Sequence, residues 1–553
     1  TCDMCHHLVN PDNSEHLGEQ YAPFVANSGG ANPTAYRGNG EAVLWGGLEK
    51  LGPYAVTNAF HPYMQSQLHR TSNICGTCHD VSNPVTGDLA ANNGAYTPLA
   101  PGEFDGTLGG PLTAKAGMKN TPHKYGIIER TFSEHIASPL DTMQVLNFRR
   151  LPVTQRKGAM LEAYNQALAA GANGDYVDGA QRNFTCQTCH IPPVTGEGCS
   201  LLFTPTRTDL PLHDMTGANY WAPDAILYLE AQGRLVGGNG LSVYQIAGMQ
   251  AGKLRALDHL EDAAALSVTG NTVRVTNLTG HKLISGYGEG RRMWLNIEWK
   301  DSAGAVLRVD GEYGPMNVTV GGTPYVVESL LDLNGTNTKI YQAEMGLTQD
   351  WAADLISLGS PAAMPVEYDR NNGAVVTTLG QVAAQTPGTS KVSFHFVLNN
   401  TVAHDNRIPT YKMDRDQAFE RNAQPAPATQ YGNPSSGGVY DNWDDVVLNP
   451  PLGAASAEVK LMYQPTSWEY IQFLKLANSG TSTFLGTTGD DLFEAWLATG
   501  MATPAVMAEA FWGTTAPVTY CTGKLNSMGC TPQIGFSGAP STLDPEGFYV
   551  TCS

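Results

Sequence analysis

Three Cys-x-x-Cys-His motifs constrain this chain more than any other feature of its 553 residues. They are Cys2-Asp3-Met4-Cys5-His6, Cys75-Gly76-Thr77-Cys78-His79 and Cys186-Gln187-Thr188-Cys189-His190. Two thiols one helical turn apart reach the two vinyl groups of one porphyrin, and the imidazole that follows is then aimed at the iron. Shuffling this composition gives roughly 0.005 expected matches, so chance does not account for three. Pairing the motifs into Cys₄ zinc sites would leave the histidine after every second cysteine unexplained. The motifs therefore predict three covalently attached hemes c, held by Cys2 and Cys5, Cys75 and Cys78, and Cys186 and Cys189, with His6, His79 and His190 as proximal iron ligands.

Each iron has a second axial position, and what fills it separates electron transfer from substrate binding. Of the 14 histidines, 11 remain after the three proximal ones. That surplus favours bis-His ligation, which leaves no open site for a small molecule. His69 lies six residues before Cys75, a spacing that places it near the second heme. His213, after a Pro-rich stretch, and His281, in the turn Thr279-Gly-His-Lys-Leu283, are loop histidines with rigid flanks. These three are the leading distal candidates. His7 points away from its own motif and toward another heme, and His135 and His123 stand with it as further candidates. His16, His61, His259, His395 and His404 read as ordinary histidines, His395 because it alternates with Phe394 and Phe396 in a strand-like run.

Fold class follows from the punctuation of the chain. The 60 Gly and 34 Pro, with charged residues at only 15%, indicate many turns and few long helices. Residues 1–265 hold every motif in an irregular, short-helix multiheme domain, with helix-compatible stretches at Met160–Ala170, Ala225–Gln232 and Val243–Leu257. From 266 to 415 the pattern turns to period-two alternation. Met293, Leu295, Ile297 and Trp299 share one strand face, Asp301 to Gly304 forms a turn, Val306 to Val309 returns, and Val392 to Leu398 is a further strand. This alternation predicts a β-sandwich domain. Residues 416–553 read as a polar linker or extended arm (Asn422 to Gly438), a strand at Val459–Tyr463, helices at Ser467–Leu476 and Asp490–Ala498, and a small disulfide-bonded tail. The class is thus mixed.

The cysteines outside the motifs, Cys199, Cys521, Cys530 and Cys552, are an even number that fits two disulfides in an oxidising compartment as well as four buried thiols. The disulfide reading closes a small loop with Cys521 and Cys530 and ties the tail to Cys199 through Cys552. A net charge of −19, before any heme propionates, argues against nucleic acid. No apolar stretch reaches the roughly 18 residues of a membrane span. The chain starts at Thr1 with no Met and no signal-like segment, which reads as a processed, soluble chain or one lacking upstream residues. The heme motifs and the paired spare cysteines make an extracytoplasmic setting the expectation, periplasmic or at the cell surface. Five glycosylation sequons, at Asn183, Asn277, Asn317, Asn334 and Asn399, carry little weight at this length.

Several strings resemble a family of bacterial and archaeal multiheme cytochromes, the cytochrome c-554 and hydroxylamine oxidoreductase-like group. They are His69-Arg-Thr-Ser-Asn-Ile-Cys75 through Asp80, Glu129-Arg-Thr-Phe-Ser-Glu134, Cys186-Gln-Thr-Cys-His190, Thr279-Gly-His-Lys-Leu283, Gly290-Arg-Arg-Met-Trp-Leu295 and Asp405-Asn-Arg-Ile-Pro409. The resemblance implies axial ligation by His69, His213 and His281. It does not extend to catalysis, since three hemes is a low count for that group and no crosslinking tyrosine is evident. It does imply electron transfer with other redox proteins or extracellular acceptors, and similarity to extracellular cytochromes whose copies join head to tail into conductive filaments. Two other function classes remain: an oxidoreductase acting on a small nitrogen or sulfur compound, which needs one open iron, and a surface protein whose β domain does the binding.

Overall fold

The computed structural model describes residues 2–11, 13–19, 38, 40, 42–55, 57–82, 127–198, 203–238, 240–335, 337–357, 359–478, 480–481, 485–513, 533–536 and 548–551. His123, Cys199, Cys521, Cys530 and Cys552 lie outside these residues. The predicted disulfides and that candidate ligand therefore fall outside the description.

The helices of the first region, those that carry the motifs included, are mostly short. In chain order, α1 (Cys2–Cys5) and α2 (Asn73–Gly76) have four residues each, α3 (Thr131–Ile136) has six, α4 (Gly158–Ala169) twelve and α5 (Cys186–His190) five. Helices of one turn do not form by themselves in water, so these depend on what packs around them. α6 (Ala222–Ala231) and α7 (Val243–Ala263) are longer. At the start of α7, Ser242 accepts from the backbone of Gln245 and the Gln245 side chain bonds back to the Ser242 backbone, a capping box. α7 runs past the predicted end at Leu257 to Ala263, because Ala256, Leu260 and Ala263 continue its buried stripe.

Strand β1 (Ala264–Thr269) follows α7 without a loop and forms a hairpin with β2 (Thr272–Asn277). The alternating run is β3 (Arg292–Lys300), with Met293, Leu295, Ile297 and Trp299 all buried. It turns at Asp301, whose carboxylate accepts from Ala303 and Ala305, into β4 (Val306–Asp310). β5 (Tyr313–Val320) and β6 (Thr323–Leu330) make a hairpin, β7 (Ile340–Tyr341) pairs with β3, and β8 (Ala343–Thr348) lies between β9 (Ser390–Val392) and β10 (Thr401–Asp405). β11 (Trp443–Val447) joins β2, while β12 (Ser456–Gln464) pairs along the whole of β3 and β13 (Ala505–Trp512) pairs β12. The principal sheet therefore has the order β4-β3-β12-β13, with β7 also on β3. The architecture is mixed helix and strand with several small sheets.

Two findings differ from the sequence expectations. Val392 to Leu398 is not one strand: β9 ends at Val392, and the chain folds into a turn in which Leu398 and Asn399 donate to the carbonyl of His395. Phe394 packs edge-on to Tyr470 and Phe473, and that contact draws the aromatic residues out of the strand. Nor is the segment from Asn422 to Gly438 a free linker. Ala423 and Tyr431 are buried in the main core, and the Tyr431 hydroxyl donates to the carbonyl of Asn406. That core takes Trp221 and Leu260 from the first region, Leu295 and Trp299 from β3, and Trp468, Phe493 and Trp496 from α8 (Trp468–Ala477) and α9 (Thr488–Ala498). Packing is thus continuous across residues 265 and 415.

Candidate functional site

Each motif helix is pinned by hydrogen bonds that leave its histidine side chain in a defined tautomer. His6 donates from Nδ1 to the carbonyl of Leu51 at 2.6 Å, and Leu51 returns its own N–H to the His6 carbonyl at 2.7 Å. His190 donates from Nδ1 to the carbonyl of Thr216 at 2.9 Å. In both, the lone pair is left on Nε2, the arrangement typical of a metal-binding imidazole. His79 presents Nδ1 to the Glu129 carboxylate at 3.0 Å, and that hydrogen bond raises its pKa. Around α2, Cys78 and His79 both donate to the Cys75 carbonyl, at 3.1 and 2.9 Å, closing the turn that brings Cys75, Cys78 and His79 together. Gly76 lies against the Phe132 ring, where a Cβ would come within 2.7 Å.

The second and third motifs are joined. Cys186 N–H donates to Ser72 Oγ at 3.2 Å, and the Gln187 amide donates to the carbonyls of His69 and Thr71 at 3.3 and 2.6 Å. The Cys75 thiol meets the Cys186 sulfur, a contact that raises the pKa of Cys75 and lowers that of Cys186. Burial pushes the Cys189 thiol up to about 12. All five described motif cysteines of known exposure (Cys5, Cys75, Cys78, Cys186 and Cys189) are free of disulfides.

Imidazoles gather around two of the three motif histidines. The His281 ring stands 6.3 Å from that of His190, with the planes 18° apart. The His213 ring is 6.1 Å from that of His6 at 33°. Two imidazoles joined through one metal, each by a bond of about 2.0 Å, have ring centres roughly 6 Å apart, so both pairs have the separation that an iron between them requires. His281 and His213 each donate Nδ1 to a nearby carbonyl, of Lys282 at 2.9 Å and of Pro211 at 3.1 Å, leaving Nε2 available. Burial lowers the pKa of His281 to about 3 and keeps it in the neutral, ligating form.

The remaining candidates fall differently. His69 does not stand against His79, as its spacing suggested; its ring is 5.4 Å from that of His6, and its Nε2 donates to the carbonyl of Cys5 at 3.1 Å. Burial and the neighbouring His6 lower its pKa to about 4. His7 bonds the Asp3 carbonyl through Nδ1 at 2.8 Å. His135 is buried on α3, with Nδ1 donating to the Gly280 carbonyl at 2.8 Å and Nε2 left without a hydrogen-bond partner. Burial alone would lower its pKa, but Cys186 and Asp141 raise it to about 9. A thioether at Cys186 would carry no charge and would remove that contribution. Among the described residues no imidazole stacks on His79. His259, an ordinary histidine by its sequence context, has its ring 5.5 Å from that of His190. Its position one helical turn beyond the buried Ala256, on the stripe that continues to Leu260 and Ala263, was the available signal.

This donor set fits heme c: paired cysteines on one helical turn, a following imidazole with its Nε2 lone pair free, and, at His6 and His190, a second imidazole at the ring separation of a shared metal.

No protein-family model matches the sequence, and no curated protein matches it. Among solved structures the chain is similar to a penta-heme cytochrome c552 from Thermochromatium tepidum, with 11% identity over 93% of this chain and 76% of that one, and a TM-score of 0.35.

Proposed function

We propose that this chain is a triheme c-type cytochrome for extracytoplasmic electron transfer through bis-His iron. Cys2 and Cys5, Cys75 and Cys78, and Cys186 and Cys189 would each tether one porphyrin, with His6, His79 and His190 as proximal ligands. Heme bound in this way supplies one-electron chemistry, with a low potential when both axial ligands are imidazole. The observation that carries the reading is the His190–His281 pair, 6.3 Å apart and nearly parallel. His213 takes the same role opposite His6, supported by the 6.1 Å separation. Low-temperature electron paramagnetic resonance of the oxidised holoprotein tests this. The reading predicts low-spin ferric signals for the first and third hemes; high-spin signals there would refute bis-His ligation.

For partners, the reading favours other redox proteins or further copies of this chain. Head-to-tail association is supported by the exposure of the first motif, where Cys5 is at the surface. Electron microscopy of the purified holoprotein separates the two cases, continuous fibres supporting self-assembly and dispersed particles a monomeric carrier. No helix among the described residues is long and apolar enough to cross a membrane.

His79 supports a second reading for its own heme. Its ring is more than half exposed and meets Glu129 rather than another imidazole among the described residues. An open iron there would turn the protein toward transformation of a small nitrogen or sulfur compound. Carbon monoxide binding to the reduced protein tests it: a shift in one third of the Soret band supports this reading, and an unchanged spectrum removes it.

A further inference from the structure

Four charged side chains bury themselves together between α3, the His281 turn and the segment after β10. Glu134, Lys282, Asp405 and Arg407 are each at most 8% exposed. Arg407 grips Asp405 with Nε and Nη2 at 2.9 and 2.7 Å and reaches Glu134 with Nη2 at 3.1 Å. Lys282 donates from Nζ to Asp405 at 2.7 Å and to the carbonyl of Gln424 at 3.0 Å. Two cations and two carboxylates cancel, so the group carries no net charge into the interior. A buried ion group of this kind is weak evidence for stability, since apolar residues of similar volume often do as well or better.

Its position in the chain suggests another role. Glu134 precedes His135 and Lys282 follows His281. The backbone from 280 to 285 is held at nearly every residue by this group or by its neighbours. Gly280 accepts from His135 Nδ1 at 2.8 Å, Lys282 N–H donates to Glu134 at 3.2 Å, and Leu283 N–H donates to the Ile408 carbonyl at 3.0 Å. Arg407 Nη1 donates to the Ile284 carbonyl at 3.1 Å, and Ser285 Oγ donates to Glu134 at 2.5 Å. His281 sits in the middle of this clamped segment, and its own carbonyl accepts from Asn277 at 2.8 Å.

We infer that Glu134, Lys282, Asp405 and Arg407 are positioning residues that fix the orientation of the His281 imidazole and hold His135 in register with it. The inference rests on the reading of His281 as an iron ligand. The directional, bidentate contacts of Arg407 set angles that an apolar core would leave free. Rotation of an axial imidazole changes the ligand field at its iron, so the group acts on the spectroscopic signature of one centre rather than on all three.

The test uses the holoprotein, after pyridine hemochrome analysis has shown three hemes in the wild type; fewer would refute the functional reading itself and not this inference. Electron paramagnetic resonance and potentiometry are then compared for D405N, D405E and the charge-conserving R407K. In D405N the g-values and midpoint potential of one heme are expected to shift while those of the others stay in place. D405E should restore them toward the wild type, and R407K should shift the same g-values with little change in potential. Should D405N fail to accumulate, R407K alone carries the test. Unchanged spectra in R407K and D405N, or equal shifts at all three hemes, would overturn the inference and leave the four residues as a structural ion group.

Discussion

His281 is the residue on which most of the site turns, and its replacement is correspondingly informative. His281→Ala should convert one of the low-spin centres to high spin and create one carbon monoxide site, read by resonance Raman and optical titration. A spectrum that stays entirely low-spin would show that His281 is not a ligand. Glu289 gives a pH prediction away from the motifs. Burial, opposed only in part by the Tyr287 and Asn399 hydrogen bonds, raises its pKa from 4.5 to about 7. The unfolded chain therefore releases this proton first, and stability present below pH ~4.5 is lost as the pH climbs through about 7. Glu289→Gln should remove that loss, with a gain over the wild type that grows through this window to no more than about 3 kcal/mol by pH 8. Equal denaturation midpoints for the two proteins at pH 5 and pH 8 would refute the assignment. Single residues also mark the limits of sequence reading. The motif cysteines and their histidines are legible from spacing alone, because the chemistry demands that spacing. The sequons at Asn277 and Asn399 are not informative: both side chains are buried, and Asn277 donates to the carbonyls of His281, Ile408 and Pro409.

Regular elements were legible where one period dominated and no tertiary contact opposed it. β3 shows this best: its alternation places Trp299 in the core, where Nε1 donates to Asp310 at 2.6 Å. Trp299→Ala should cost about 3–5 kcal/mol in chemical denaturation, and a loss under 1 kcal/mol would contradict its place at the centre of the sheet. Ser242→Ala, which breaks the capping box of α7, should cost only about 1 kcal/mol. What the sequence did not show was which strands pair. β12 enters the chain some 150 residues after β3 yet pairs along its full length, and no local pattern encodes such a contact. The strand expected over Val392 to Leu398 gives way to a turn for a related reason: the alternation is real, but contacts of Phe394 with Phe473 and Tyr470 outweigh it. His69 likewise lies near His6 through a contact spanning 64 residues, which spacing from Cys75 could not reveal.

At the scale of the molecule, a core shared by the first region, the principal sheet and α8 and α9 packs continuously across residues 265 and 415, while smaller clusters around Leu8 and Leu51 lie by the first motif. The one-turn motif helices, which would not persist alone, are held by contacts with neighbouring segments, as where the Cys186 N–H donates to Ser72 Oγ and the His6 imidazole donates to the Leu51 carbonyl. Ligands held by packing and hydrogen bonds in this way suit the proposed electron transfer, in which the ligand set should change little between oxidation states. All of this rests on three porphyrins being covalently attached. The decisive measurement is the intact mass of the denatured polypeptide, purified from its native source or from cells equipped for c-type cytochrome maturation. The mass of the chain plus three hemes is predicted; the mass of the bare chain, with six free thiols in the motifs, would contradict it.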